Sequence, residues 1–322
     1  MTRLAEVNIM KENINHIKSF RIEAKKLGPH VLLAAGVHGD EYEPMLTALE
    51  LINELPHILI SGSVTIVPVV NVTAYQVSSR YGEDNLDLAR ICPGKPDGST
   101  SEKNAFEISE LIKESDYLID MHTGGLAHYI HPMAGFTLHP SPEILDKQRE
   151  LALAYNTPVI WGTDHHPNGR TLSVARDANI PAIYLEYGGG SGIRKEVVKT
   201  YKKGFINVLK YLKMAEGEAE ITAPEKRFWV EDPRPDSGYF QGKMPAPSDG
   251  IFVCEKTAGE PIKKGELFGR IIDPFTGNAT AIFADVEGMV LSVRISVHVK
   301  KGDALGSILP IVGPGKVIID TF

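Results

Sequence analysis

The sequence predicts an α/β domain that is followed by a small all-β domain. Apolar segments of strand length alternate with amphipathic helical segments, which is typical of an α/β sheet. Three of these predicted strands end at, or just before, a histidine or glutamate that lies next to glycines. Beyond about residue 236, short strands, frequent turns and an internal repeat replace this pattern. We therefore divide the chain into residues 1–220 and residues 221–322.

The composition argues against nucleic acids and membranes as partners. The chain has 322 residues, of which 43% are hydrophobic, and a formal net charge of -7, which disfavours binding to phosphate backbones or anionic lipids. Residues 1–15 lack the apolar segment of a signal peptide, and no segment approaches the roughly 20 apolar residues of a membrane helix. Cys92 and Cys254 match no disulfide framework or metal spacing. We expect a cytoplasmic protein that acts on a small molecule.

Two periodicities define the elements of the α/β part. Short apolar or β-branched runs predict buried strands, and apolar residues that recur every three or four positions predict helices. Residues 71–104 form a long loop rich in Gly, Asp, Asn, Ser and Pro, and loops of this kind often carry function. The predicted strands cover residues 31–35, 63–70, 117–122, 158–162 and 180–186, with one or two edge strands within residues 14–22. The predicted helices cover residues 43–55, 102–114, 141–155 and 193–214.

The C-terminal part begins after an acidic, proline-bearing segment at residues 216–236, which we interpret as a linker. The sequence Ala-Pro-Ser-Asp-Gly-Ile at 246–251 is echoed by Ala-Asp-Val-Glu-Gly-Met at 284–289. Likewise, Lys-Lys-Gly-Glu-Leu-Phe-Gly at 263–269 is echoed by Lys-Lys-Gly-Asp-Ala-Leu-Gly at 300–306. Two related β-rich halves of this size predict a small pseudo-symmetric barrel or sandwich.

Two histidines and a glutamate form the candidate metal site. His38 follows the predicted strand at residues 31–35, Glu41 lies one helical turn later, and His122 ends another predicted strand. Sites in α/β sheets lie at the carboxyl ends of strands, so we expect the three side chains to converge. This set would hold one Zn²⁺ per chain and leave a coordination position for water, whose pKa then falls toward about 7. The alternative for the first stretch is a solvated turn in which Asp40 caps the helix.

Glu186 is the candidate general base. It ends a predicted strand and precedes Tyr187 and three glycines, so a carboxylate stands at the edge where the metal ligands meet. Such a carboxylate can accept a proton from the attacking water and pass it on. Asp120 lies two residues before His122 on the same strand, where it can orient that ligand. The alternative for Glu186 is a structural salt bridge or cap.

Arg80 and Arg90 lie on the long loop that we expect to cover the metal. A guanidinium beside the scissile carbonyl polarises it and stabilises the oxyanion, which is the role we expect for Arg80. A second guanidinium can bind a substrate carboxylate through two hydrogen bonds, which is the role we expect for Arg90. The alternative for both is a solvated surface arginine. The remaining prominent histidines are expected in loops outside the site; they are His128, His131, His139, His165 and His166.

Four motifs together resemble one enzyme family. They are residues 36–41 (Gly-Val-His-Gly-Asp-Glu), residues 87–94 (Asp-Leu-Ala-Arg-Ile-Cys-Pro-Gly), residues 120–124 (Asp-Met-His-Thr-Gly) and Glu186. The set is similar to the succinylglutamate desuccinylase/aspartoacylase family, within the wider zinc carboxypeptidase-like group. The resemblance covers roughly residues 30–215 and implies a carboxypeptidase-like α/β/α domain with a mixed sheet. It also implies zinc on His38, Glu41 and His122, Glu186 as general base, Arg80 as the carbonyl-polarising arginine, and hydrolysis of an N-acyl amide.

One departure from the family pattern bears on the substrate. Ala89 precedes Arg90 where the family usually has an asparagine that helps hold a substrate carboxylate. This change disfavours acyl-aspartate or succinyl-glutamate as the substrate. A different N-acyl amino acid, such as an acetylated diamino acid, fits at least as well.

The C-terminal repeat looks like a biotinyl/lipoyl-type barrel-sandwich. Domains of that type carry a modified lysine on the hairpin between their halves, but the corresponding residues 273–279 contain no lysine. We therefore expect no biotin or lipoate. The domain is expected to shape the entrance of the active site or to form an oligomer contact.

Two other functions compete with a zinc-dependent amidohydrolase. The first is a zinc carboxypeptidase that cleaves peptides, which a C-terminal domain narrowing the cleft would disfavour. The second is a non-catalytic binding protein that keeps the fold. The presence of the complete ligand set together with Glu186 argues against the second function.

Overall fold

The computed structural model describes residues 16–239 and 243–319 of the chain. The strands are β1 (Phe20–Glu23), β2 (His30–Ala35), β3 (Ser63–Val67), β4 (Tyr117–His122), β5 (His128–Thr137), β6 (Val159–Thr163), β7 (Ala182–Gly188), β8 (Phe228–Asp232), β9 (Gly250–Cys254), β10 (Pro261–Ile262), β11 (Leu267–Ile272), β12 (Ala279–Phe283), β13 (Gly288–Arg294), β14 (His298–Val299), β15 (Gly306–Leu309) and β16 (Gly315–Ile318). The α-helices are α1 (Tyr42–Ile58), α2 (Val72–Gln76), α3 (Thr100–Lys113), α4 (Pro142–Tyr155), α5 (Thr171–Asp177) and α6 (Lys195–Tyr211). Two short 3₁₀ helices cover Leu88–Arg90 and Pro224–Lys226.

A mixed sheet forms the centre of the part of the chain that the structure describes. Its main path runs in the order β1-β3-β2-β4-β7-β5-β6-β8-β16. Strands β3, β2, β4 and β7 are parallel, so their carboxyl ends lie at one edge. Strand β5 is antiparallel to β7, which brings the start of β5 to the same edge. These five strand ends build the candidate site.

Helices cover both faces of this sheet. Along β2, Val31, Leu33 and Ala35 pack in one apolar cluster with residues of α1, α4 and α6. Leu32 and Ala34 point the other way and pack with residues of α3 and α5. Every residue of β2 is buried, as expected for a parallel strand covered on both sides. The predicted α/β class is therefore confirmed, with a layer of helices on each face of the sheet.

Local sequence signals explain where the predicted elements begin and end. Strand β3 ends at Val67, because the following Pro68 has no N–H to donate to a neighbouring strand. Helix α3 begins at Thr100, two residues earlier than predicted. Its N-cap is Ser99, whose backbone N–H donates to the Glu102 carboxylate at 2.9 Å. The predicted N-terminal edge strand is β1, and the part of that prediction on residues 14 and 15 lies outside the described residues.

The prediction of a loop around His128 and His131 was wrong. Both residues lie on β5, a long strand at the centre of the sheet. The sequence of β5 shows no continuous apolar run, because its first half borders a polar cavity rather than a helix layer. Pro132 interrupts it further, and the pairing of β5 with β7 shifts register between Ile130 and Met133. The shift accommodates a proline that cannot complete the hydrogen-bond ladder.

Three further elements differ from the sequence-based prediction. The loop at residues 71–104 contains the short helix α2, and helix α5 was not predicted at all. Part of the predicted linker, Phe228–Asp232, is strand β8, which pairs in parallel with β6 inside the main sheet. Segments this short lack the repeated periodicity that predicts an element. The division of the chain at residue 220 remains a prediction.

The two halves of the C-terminal repeat exchange strands. From the first half, β10 pairs with β13, and from the second half, β14 pairs with β9. Strands β12, β11, β9 and β14 form a separate four-stranded sheet, whereas β13 pairs with β5 and so joins the main sheet. This last pairing brings the C-terminal part beside the candidate site. No helix in the described ranges is both long and apolar enough to cross a membrane.

Candidate metal and catalytic site

The three candidate metal ligands meet at the carboxyl edge of the sheet. His38 lies in the turn after β2, Glu41 lies directly before α1, and His122 is the last residue of the neighbouring strand β4. Nδ1 of His38 is 2.7 Å from Oε1 of Glu41, and Nδ1 of His122 is 3.1 Å from Oε2 of the same carboxylate. The two imidazole rings are 5.1 Å apart. The structure thus brings together three side chains that the sequence separates by up to 84 positions.

Two glycines allow the chain to turn at this point. Gly36 adopts a φ of +66°, a conformation that residues with a side chain rarely adopt. A Cβ on Gly39 would lie 2.0 Å from the carbonyl carbon of Ala74 in helix α2, so no side chain fits there. The close approach of α2 therefore fixes the turn that carries His38.

A second carboxylate lies behind each histidine. Nε2 of His38 is 3.4 Å from Oδ1 of Asp87, and Nε2 of His122 is 3.1 Å from Oδ2 of Asp120. Each ring therefore directs Nδ1 to the centre of the site and Nε2 to an outer acid, the arrangement typical of histidine metal ligands. Asp120, which we expected to orient His122, contacts that ring. Asp87 was not predicted, because only the folded loop shows which ring it reaches.

Opposite charges stabilise this buried cluster. Burial alone would raise the pKa of Glu41, but the adjacent His38 and His122 lower it to about 2. Burial alone would lower the pKa of His122, but the charges of Asp120 and Glu41 raise it well above its usual value. All three central side chains are buried and converge within the reach of a single ion. Two imidazole nitrogens and a carboxylate are donors that suit Zn²⁺, so the residues present fit the metal.

Glu186 lies beside the candidate metal ligands. It pairs in register with His122 across β4 and β7, and its Oε2 is buried without a hydrogen-bond partner. Burial is the largest cause that raises the pKa of this carboxyl group well above its ordinary value. An acid with a raised pKa in a cleft is a frequent sign of a functional residue.

Arg80 and Glu186 stand between two cavities. The inner cavity is lined by His38, Arg80, Arg90, Asp120, Arg170 and Glu186, among others. The outer cavity has a volume of about 470 Å³ and is lined by Asp40, Arg80, His128, Glu186, Arg294 and Asp303, among others. Arg80 is held in this position by Asp87, whose carboxylate accepts hydrogen bonds from Nε and Nη2 at 3.0 Å.

Arg90 and Arg170 both border the inner cavity. Arg90 is the last residue of a short 3₁₀ helix within the loop at residues 71–104, where we predicted it. Arg170 was not predicted, because helix α5, which it precedes, was missed. Among the described residues Arg170 forms no salt bridge, so its charge is available to a ligand. Burial is the main cause that lowers the pKa of Arg90, and the charge of Arg170 adds to it, as expected for two cations that border one small cavity.

The fold and the site together define an α/β protein with a buried two-histidine, one-glutamate centre at the carboxyl edge of its sheet. The family model of the succinylglutamate desuccinylase/aspartoacylase catalytic domain matches residues 27–212. The chain belongs to this family. The homologues are deacylases and deacetylases, which supports hydrolysis of N-acyl amino acids by this chain as well.

Relatives with similar sequences and structures agree with this assignment. The N-alpha-acetyl-L-2,4-diaminobutyric acid deacetylase of Halomonas elongata is 28% identical over 292 residues, which cover 88% of this chain and 83% of the relative. The succinylglutamate desuccinylase/aspartoacylase structure from Rhodobacter sphaeroides has a TM-score of 0.81 and 26% identity, covering 92% of this chain and 89% of the other. The product-bound structure of the ectoine utilization protein EutE (DoeB) from Ruegeria pomeroyi has a TM-score of 0.82 and 26% identity, covering 91% of this chain and 88% of the other.

Proposed function

We propose that this protein is a zinc-dependent deacylase that hydrolyses the amide bond of an N-acyl amino acid or a related small N-acyl compound. One observation carries the proposal: a buried His38–Glu41–His122 cluster lies next to the half-buried Glu186, whose Oε2 atom is buried without a protein partner. The reaction consumes one water and releases a carboxylic acid and an amine. It belongs to the amidohydrolases that act on linear amides.

One zinc ion per chain would be held by Nδ1 of His38, the carboxylate of Glu41 and Nδ1 of His122. When bound, zinc lowers the pKa of a coordinated water to about 7 and polarises carbonyl oxygens. Asp120 lies 3.1 Å from Nε2 of His122 and Asp87 lies 3.4 Å from Nε2 of His38, so each acid faces the ring nitrogen that would not bind the metal. The backbone carbonyl of His122 also accepts a hydrogen bond from the Tyr201 hydroxyl, which anchors this ligand to helix α6.

Glu186 would move the proton in the reaction. Its carboxylate accepts the proton of the attacking water and delivers it to the amide nitrogen, which leaves as an amine. Burial is the largest cause that raises the pKa of this carboxyl group, and proton transfer by a carboxyl group positioned beside the reacting atoms is general acid–base catalysis. Arg80 stands beside Glu186 at the border of both cavities. Its guanidinium would donate a hydrogen bond to the carbonyl oxygen as negative charge develops there.

The inner cavity would hold the amino acid half of the substrate. Arg90 and Arg170 provide two guanidinium groups for a carboxylate. Ala89 lines the same cavity and contributes no polar side chain, so binding of a second carboxylate is less favoured. The relative from Halomonas elongata is named for an acetylated diamino acid. We propose an N-acylated diamino acid as the substrate of this chain, rather than acyl-aspartate or succinyl-glutamate.

The walls of the site favour small substrates over peptides. Arg294, Asp303 and Ala304 from the C-terminal part close one side of the outer cavity, so a long peptide would collide with them. We therefore propose that the C-terminal part, as an unmodified barrel-sandwich, shapes the entrance. We further propose a location in the cytoplasm.

Metal analysis and an activity panel test this proposal. The purified protein should contain about one zinc per chain and release amine from at least one member of a panel of Nα-acyl amino acids. His38→Ala should lose both the metal and the activity. His57→Ala, which removes an exposed histidine on α1, is the matched control and should lose neither. A zinc-loaded protein that hydrolyses no member of the panel would contradict the proposal.

A further inference from the structure

The two cavities on either side of Arg80 and Glu186 separate the two halves of the substrate. A carbonyl held between these residues has one substituent on the side of the inner cavity and the other on the side of the outer cavity. The inner cavity contains Arg90 and Arg170, which suit the carboxylate of the amino acid. The acyl chain must then enter the outer cavity. This assignment rests on the function proposed above.

The outer cavity is much larger than an acetyl group needs. Its volume is about 470 Å³, which lies within the range of roughly 300–1,000 Å³ found for pockets that hold whole small ligands. An acetyl group would leave most of this space to water. Gly124, Gly125 and Ala127 also line this cavity.

The positive groups of the outer cavity already have partners. Arg294 donates to the Asp303 carboxylate at 2.9 Å and to the carbonyl oxygens of Ser296 and Ala304 at 3.0 and 3.3 Å. His128 directs Nε2 to the Ala304 carbonyl at 3.0 Å. These contacts also fix the wall of the cavity. Arg80, which borders both cavities, pairs with Asp87. A negatively charged acyl chain would therefore find no unpaired cation in the described residues that line this cavity.

Glu41 pairs with the two histidines and Glu186 is assigned to proton transfer, so the acid in this cavity that remains for the substrate is Asp40. Its Oδ2 accepts the backbone N–H of Leu126 at 3.0 Å, and no lysine or arginine among the described residues forms a salt bridge with it. Asp303, the other acid at the outer wall, is occupied by Arg294. Asp40 lines the cavity next to Glu41 and so lies near the reaction centre. A half-buried carboxylate in this position favours a cationic ligand group.

We propose that the outer cavity is the acyl-side subsite, and that it takes an acyl chain longer than acetyl whose far end carries an ammonium group bound by Asp40. The substrate class is then an amino-acyl amide of an amino acid, in which a short ω-aminoacyl group replaces acetyl.

Three acyl groups of equal length test the charge preference. They are 4-aminobutanoyl, pentanoyl and glutaryl, each attached to the α-nitrogen of L-2,4-diaminobutyrate, with the acetyl compound as a reference. We expect kcat/KM for the 4-aminobutanoyl compound to exceed that of the pentanoyl and glutaryl compounds at least tenfold. Asp40→Asn should bring the ratio of the 4-aminobutanoyl to the pentanoyl value close to one. Asp285→Asn, at an exposed position, is the control and should keep the wild-type ratio.

A second variant tests the position of the acyl chain. Ala304→Leu narrows the outer cavity, so it should lower the ratio of pentanoyl to acetyl turnover at least tenfold. Turnover of the acetyl compound without preference among the longer groups would overturn this inference and leave the deacylase function standing. If no compound is hydrolysed, calorimetric binding of the same compounds to zinc-loaded Glu186→Gln decides the question. Equal affinity for the 4-aminobutanoyl and glutaryl compounds would then overturn it.

Discussion

His122 and Glu186 lie directly opposite each other on the neighbouring parallel strands β4 and β7. Because side chains at paired positions of parallel strands point to the same face, a candidate metal ligand and an acid face the same space. Burial affects the pKa of both side chains. The pKa of Glu186 rises with burial, whereas the charges of Asp120 and Glu41 outweigh burial at His122 and raise its pKa.

The first prediction separates the roles of these two residues. Glu186→Gln should keep about one zinc per chain but lower kcat by about 10²–10⁴-fold, because general acid–base catalysis contributes that much. His122→Ala should lose the zinc in addition to the activity. Metal content by atomic emission and steady-state kinetics measure the two effects. Glu196→Gln, at an exposed position on α6, serves as the control, and a Glu186 variant of wild-type rate would place the base elsewhere.

The second prediction concerns the acid behind His122. Asp120 is 1% exposed and contacts Nε2 of His122 and the hydroxyl of Thr171, so Asp120→Asn weakens the anchor of that ligand. Loss of such an outer partner typically lowers metal affinity by about 10–100-fold. Competition with a chromogenic chelator measures the zinc affinity. Asp116→Asn is the control, because Asp116 accepts the backbone N–H of His30 at the opposite end of the strands. Unchanged zinc affinity in Asp120→Asn would remove Asp120 from the metal site.

Particular residues show how much of the fold and of the candidate site can be predicted from the sequence. The positions of His38, His122 and Glu186 at one edge could be predicted, because apolar parallel strands bring their carboxyl ends together. Asp87 and Arg170 could not be assigned, since their roles depend on where a loop and a short helix fold back. Strand β5 could not be predicted either. It borders a polar cavity and contains Pro132, so it lacks the pattern of a buried strand.

The third prediction tests the turn that carries His38. In Gly39→Ala, the new Cβ would lie 2.0 Å from the carbonyl carbon of Ala74 and force the turn away from α2. We expect a loss of zinc affinity together with a lower melting temperature. Gly313→Ala is the matched control, because a Cβ there meets nothing within 4 Å. If Gly39→Ala bound zinc like the wild type, the close approach of α2 would not position His38.

The fourth prediction concerns stability and pH. Glu231 on β8 accepts hydrogen bonds from Arg149 at 2.9 and 2.6 Å and pairs with Lys316 at 2.9 Å. Burial alone would raise the pKa of Glu231, but these cations lower it below its usual value. Because the pKa of Glu231 is lower in the folded state, its ionised form stabilises the protein at pH values above its unfolded-state pKa of about 4.3. This contribution is lost as the pH falls through the lower folded-state pKa.

Denaturant titrations across pH measure this contribution of Glu231. At pH 7, Glu231→Gln should lower the free energy of unfolding by about 1–3 kcal/mol, the usual cost of breaking a buried charged hydrogen bond. The difference from the wild type should shrink as the pH falls below about 4. Glu225→Gln, an exposed control, should cost little at any pH. A difference between Glu231→Gln and the wild type that does not change with pH would show that the charge of Glu231 does not stabilise the fold.

The last prediction tests the carboxylate partner that only the structure revealed. Arg170 borders the inner cavity and forms no salt bridge with another described residue, so its removal should weaken binding of a substrate carboxylate. Arg170→Ala should raise KM for an Nα-acyl amino acid by about 10–100-fold, the equivalent of the roughly 1.5–3 kcal/mol of a charged hydrogen bond. The corresponding amino acid amide lacks the carboxylate, so its KM should change little. Arg234→Ala removes a more exposed arginine paired with Asp232 and is the control. An equal loss for the acid and the amide would mean that Arg170 supports the cavity wall rather than the substrate.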